Sequence, residues 1–212
     1  MSILGNRVLR KEDPKFLTVG GSYVDDLRLE GAAHVVYVRS TMAHARITNV
    51  DTAEAEKAPG VLAVYTAANF DLPPMPPGAP FVNPAMSRPW LADGVVRFVG
   101  DMVAAVVAES RAQAVDAAEL VLFDYEPLPV LVDPDAALSS DTVLFPEAGA
   151  NLAFTLPDDL VAVGMIPADA AGRDENLFAG CDVVVRQRIV NQRVAPCPLE
   201  VRAAAASWGS DG

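Results

Sequence analysis

Residues 96–129, VRFVGDMVAAVVAESRAQAVDAAELVLFDYEPLP, constrain the fold more than any other stretch of this chain. Residues 103–108 form an apolar run of β-branched and small side chains, too short for a helix and suited to a strand buried on both faces. Ser110 follows, with Gln113 three residues later, so the hydroxyl can cap the Gln113 amide while the Gln113 side chain reaches back. Residues 112–120 are alanine-rich good helix formers. Ala114, Ala117, Ala118 and Val121 give that helix a narrow face for close packing on a sheet. Residues 121–125 read as another strand, stopped by Glu126-Pro127-Leu128-Pro129. The order is strand, helix, strand.

The same order occurs earlier. Residues 34–39 alternate around valines and a tyrosine and predict a strand. Asp51 with Glu54 predicts a helix start, Pro59-Gly60 its end, and residues 61–65 the next strand. Between the two units, residues 71–89 (DLPPMPPGAPFVNPAMSRP) carry seven prolines. Proline removes amide donors, so this predicts an extended loop, either a plain surface loop or an arm that touches a partner. Residues 139–180, rich in Gly, Ala, Asp and Pro without a sustained period, predict an extended linker. Residues 182–190, DVVVRQRIV, predict a strand with Arg186 and Arg188 on one face and Val183, Val185 and Ile189 on the other. The fold class is α+β with two β-α-β units.

With 212 residues the chain is long enough to bury a core, and 51% of them are apolar. No run reaches the roughly 18 apolar residues of a membrane span, and no apolar stretch near the start resembles a leader, which predicts a cytoplasmic protein with no membrane partner. A net charge of −12 has the wrong sign for nucleic acid. Two cysteines, Cys181 and Cys197, are too few for a disulfide framework and lack zinc or iron–sulfur spacing. Buried thiols are the expectation for both.

Candidate reactive residues are few. There is no nucleophile elbow, phosphate loop, dinucleotide fingerprint or zinc-protease motif. His34 opens a strand and reads as structural. His44, in STMAHARI, is the better candidate for a base, against a satisfied histidine at a domain contact. Asp25-Asp26 reads as a turn rather than a metal site. Arg193 and Glu200 read as a structural pair. No residue is therefore assigned to catalysis, cofactor binding or metal binding.

Four stretches together resemble a known family: RKEDPKFLTVGGSYVDDL (10–27), VRSTMAHARITNVDTAEAEKAPGVLAVYTAANF (38–70), LADGVVRFVGDMVAAVVAESRAQAVDAAELVLFDYEPLPVLVDPDAAL (91–138) and NQRVAPCPLEVRAAAASW (191–208). In this order they resemble the start of the molybdenum-binding large subunit of the xanthine dehydrogenase/aldehyde oxidase family. The opening RKEDPKFLT looks most like the carbon monoxide dehydrogenase type. The chain departs from the family's usual pattern at residues 19–23 (VGGSY), 40–45 (STMAHA) and 198–201 (PLEV).

The resemblance implies an N-terminal arm at 1–18, an α/β hammerhead domain at 19–138, the linker at 139–180, and the beginning of a molybdopterin-binding domain at 181–212. It implies a molybdopterin dinucleotide with molybdenum in the complete enzyme, though on no residue of this chain, and iron–sulfur and FAD partner subunits. The remaining cofactor domains of the large subunit would be its nearest partner, with a homo-oligomer also open. The complete enzyme would hydroxylate a carbon centre or oxidise carbon monoxide with water-derived oxygen. A free-standing hammerhead module without enzyme activity is the alternative, and a small hydrolase using His44 and Cys197 a third reading.

Overall fold

The computed structural model describes residue 5 and residues 10–73, 75–156, 158–167, 178–192, 194–198 and 200–209. The chain divides into two compact units, one of Met1–Glu30 with Cys181–Gly212, the other of Gly31–Gly180.

The first unit contains a short helix α1 (Asp13–Thr18), opened by a proline and by Arg10 Nε donating to Asp13 Oδ1 at 2.9 Å. Asp25 and Asp26 lie in a 3-10 turn, Val24–Asp26, where Asp26 Oδ2 accepts the Tyr23 amide at 3.1 Å. The described residues between 181 and 209 contain no helix or strand. This corrects the strand expected at 182–190. Alternation makes a strand only where a neighbour supplies the ladder, and none of the described residues pairs with it. Val183, Val185, Ile189 and Trp208 stand exposed.

The second unit holds six strands and four helices among its described residues. In chain order they are β1 (His34–Arg39), β2 (Ala45–Asp51), α2 (Ala53–Lys57), β3 (Val61–Thr66), β4 (Val95–Val96), β5 (Met102–Ala108), α3 (Arg111–Ala118), β6 (Leu122–Pro127), α4 (Pro134–Ala137) and α5 (Asp158–Ala162). Two antiparallel three-stranded sheets result, β1-β5-β3 and β4-β2-β6. Each strand-helix-strand unit therefore crosses between sheets. α2 carries the chain from β2 to β3, and α3 carries it from β5 back to β6.

The local chemistry explains both helices. Ser110 Oγ accepts the Gln113 amide at 3.4 Å and donates to Gln113 Oε1 at 2.6 Å, so the glutamine side chain reaches back to the hydroxyl. α2 begins two residues after Asp51, whose carboxylate accepts the Ala53 amide at 3.0 Å, and ends where Ala58 turns extended before Pro59. One face of the β1-β5-β3 sheet receives both helices: Val64, Ala104 and Val106 pack with Ala55, Ala117 and Val121. Alanines here let the helices approach the strands closely. A second core, of Ala45, Ala92 and Val96 flanked by Ile47, Phe123 and Tyr125, lies under the other sheet and takes in Val103 from the end of β5, on the side of that strand away from the helices.

The two sheets differ in their outward faces. In β4-β2-β6 the outer positions are Arg46, Asn49, Asp124 and Glu126, the usual polar side of a half-buried antiparallel sheet. In β1-β5-β3 the register sets Val35 opposite Val107, Tyr37 opposite Ala105, and Tyr65 opposite Ala105 from the other side, all on the face away from the helices.

Candidate functional site

The proline-rich loop does not extend into solvent as a free arm. Trp90 Nε1 donates to Pro73 O at 2.9 Å and folds the loop back on itself. Asn83 caps a 3-10 turn at Pro84–Met86 with its side chain, and its amide donates to Ala153 O at 2.9 Å. Phe81 and Phe154 meet edge to face at 5.0 Å. Part of the stretch read as an extended linker thus rests on this loop, with a 3-10 turn at Pro146–Ala148 and α5 of its own.

Arg97 joins that stretch to the strands. Its Nε donates to Leu144 O at 2.7 Å, its guanidinium sits 4.5 Å from the Phe145 ring centroid, and its own amide donates to Asp101 Oδ2 at 3.1 Å. Next to it opens a cleft of about 350 Å³ lined by Phe70, Arg88, Trp90, Asp93, Arg97 and Glu147. Arg88 stacks on Phe98 at 5.0 Å, and the buried Ser87 hydroxyl at the cleft finds no hydrogen-bond partner among the described residues. Neither a histidine nor a cysteine lines the cleft. Its arginines and carboxylates can hold polar groups, but they offer no nucleophile with an adjacent base. Arg97→Ala is expected to cost about 2 kcal/mol by orphaning carbonyl acceptors, lowering Tm by roughly 4–8 °C and speeding proteolysis within 141–150. Thermal melts and limited digestion read both.

His44 is 7% exposed. Its Nδ1 lies 2.6 Å from Pro129 O, and its carbonyl accepts the Leu128 amide at 3.0 Å, so it fastens the chain leaving β6. Loss of that bond in His44→Ala leaves a carbonyl to find water and is expected to cost about 1–2 kcal/mol, measurable by denaturant titration. His34 is exposed at the head of β1. The cysteines correct the expectation of buried thiols: Cys181 and Cys197 are both exposed, because the segments carrying them join no sheet or helix. Glu200 is exposed, and Arg193, its expected partner, lies outside the described residues. His44 belongs to one compact unit and Cys197 to the other. Arg97 had no sequence motif to mark it; a lone arginine between the valines and phenylalanine of VVRFV was the available signal.

Among the described residues no group of three or more His, Cys, Asp or Glu side chains could hold a metal ion. Nor do the glycines among the described residues build a cradle. Most would meet nothing within 4 Å if given a Cβ, and the close neighbours of Gly21 and Gly60 are side chains of Tyr23 and Gln113. The described residues do not fit a molybdopterin or its metal. No helix among them is long and apolar enough to cross a membrane.

Among the described residues the fold is a pair of antiparallel sheets bridged by crossing helices. Residues 18–129 match the family model described as aldehyde oxidase and xanthine dehydrogenase, a/b hammerhead domain, and the chain belongs to that family. It is 36% identical to the nicotine 6-hydroxylase large subunit of Paenarthrobacter nicotinovorans, over 98% of this chain and 24% of that subunit. It is 41% identical to the carbon monoxide dehydrogenase large chain of Afipia carboxidovorans, over 93% of this chain and 24% of that one. Among solved structures, reconstituted CO dehydrogenase from Oligotropha carboxidovorans is similar with a TM-score of 0.57 and 46% identity, over 65% of this chain and 17% of that chain. The chain spans about a quarter of the length of the relatives it matches.

Proposed function

We propose that this chain supplies the hammerhead section of a cytoplasmic molybdenum hydroxylase large subunit of the carbon monoxide dehydrogenase type, and that its contribution is architectural. It packs against the cofactor-bearing domains, which hold the molybdopterin dinucleotide, and the complete enzyme passes electrons to iron–sulfur and FAD subunits. The observation that carries this reading is the family match over residues 18–129, a region whose described side chains assemble no metal-holding group. Residues 181–212 would then be the opening of the first cofactor domain, which fits their exposed apolar side chains.

Metal analysis tests the reading. The purified chain is expected to contain no molybdenum, and a complex with the downstream part of a family large chain to contain it. Stoichiometric molybdenum on the chain alone would overturn the proposal.

A further inference from the structure

The β1-β5-β3 sheet departs from the pattern of a sheet with one wet face. Its helix-covered side is apolar, as a core side must be. Its other side presents Val35, Tyr37, Ala63, Tyr65 and Val107 around the buried Ala105, and the one charged group beside them, Arg39 at the end of β1, lies over the Tyr37 ring at 5.8 Å. Val35 is 51%, Tyr37 48% and Tyr65 37% exposed. The strand sequences HVVYVR, VLAVYT and MVAAVVA are near-continuous apolar runs, the pattern of strands covered on both faces. The sister sheet, in the same unit and under the same solvent, alternates normally and shows Arg46, Asn49, Asp124 and Glu126 outward. The contrast is local to one face, and contiguous apolar surface of this kind marks an interaction site.

We infer that this face of the β1-β5-β3 sheet, centred on Tyr37, Tyr65 and Val107, is the surface on which the cofactor-bearing part of a family large subunit docks. The inference rests on the proposed function and adds to it which face is used. The occupant follows from length: identity of 36–41% runs through 93–98% of this chain yet accounts for only 24% of each relative, so most of such a subunit has no counterpart here. A sheet built to be covered twice, in a chain matching a quarter of a larger protein, is covered by the rest of that protein.

The test co-produces the chain with the downstream three quarters of the Afipia carboxidovorans large chain as a separate polypeptide, and measures affinity for Tyr37→Lys, Val107→Lys and Leu122→Lys. Leu122 is an exposed apolar residue on the outer face of the other sheet, so the same change there is the control. The expected result is a 1:1 complex weakened about 100-fold by either Tyr37→Lys or Val107→Lys, on the scale of an interface hot spot, with Leu122→Lys within about threefold. Circular dichroism melts verify that each variant is folded, and Tyr37, on an edge strand, serves if Val107→Lys is not. Loss of binding with Leu122→Lys alone would overturn the assigned face and leave the proposed function standing. Absence of any wild-type complex would overturn the proposed function and the inference with it. A wild-type homodimer that Tyr37→Lys splits, with downstream binding unchanged, would overturn the inference in favour of a second copy.

Discussion

Val106→Lys is expected to abolish the cooperative melt of the second unit, whereas Val107→Lys, one position along the same strand, leaves it folded. Val106 is fully buried between the helices and the sheet, in contact range of Val64, Ala104 and Ala117. An ammonium there has no carboxylate to meet. An unpaired buried charge costs about 4 kcal/mol or more, against a total stability on the order of 5–15 kcal/mol for a domain. Val107 points to the other face and is only half-buried. A lysine at that position can lay its methylenes over the sheet and keep its charge in water, so about 1 kcal/mol is the expected cost. Far-UV circular dichroism on heating separates the two outcomes. Equal melts for both variants would show that the helix-covered face is not the core.

Gly60 carries the second large effect. It ends the α2 connection with φ +77°, and its carbonyl accepts the Glu109 amide at 2.9 Å across the sheet. A Cβ at Gly60 would sit 2.2 Å from Gln113 Nε2, the same glutamine that the α3 cap uses. Gly60→Val therefore combines a left-handed backbone, at roughly 1–2 kcal/mol, with displacement of a capping side chain, at about 1 kcal/mol. The expected loss is about 3 kcal/mol, or roughly 6–12 °C in Tm for a unit of this size. Gly94→Ala is the comparison, since its φ is +64° but nothing lies within 4 Å of the added carbon. It should lose only the backbone part. In Gly60→Ala, adding Gln113→Ala should recover the steric part and leave the φ cost, a coupling that a double-mutant cycle reads directly.

These two sites also show what the sequence makes legible. Ser110 with Gln113, and the Ala114, Ala117 and Val121 face, define α3 because capping and small-residue spacing are local properties. The strand after it runs from Leu122 to Pro127, a little beyond its reading, since Pro127 can end an edge strand while still pairing opposite Ala45. β2 was invisible: its residues ARITNVD alternate, but a register shift between Ile47 and Asn49 breaks the period. Without β2 the crossing of each helix between two sheets could not be seen, because sheet membership depends on pairings distant in sequence. The Arg97 seam is hidden for the same reason, its partner carbonyl lying 47 positions away. Residues 182–190 show the converse, an alternating pattern without a ladder.

Carbon monoxide oxidation per assembled complex tests most directly whether this chain is scaffold rather than catalyst. The assay uses the chain, with His44→Ala or Cys197→Ala, assembled with the downstream part of the Afipia carboxidovorans large chain and its partner subunits. His44 is fastened to the Pro129 carbonyl, and Cys197 stands exposed. The account predicts a lower yield of complex for His44→Ala, with kcat per assembled complex within about threefold of wild type for both variants. A fall in kcat of about 100-fold or more with assembly intact, the scale of a lost general base, would contradict it.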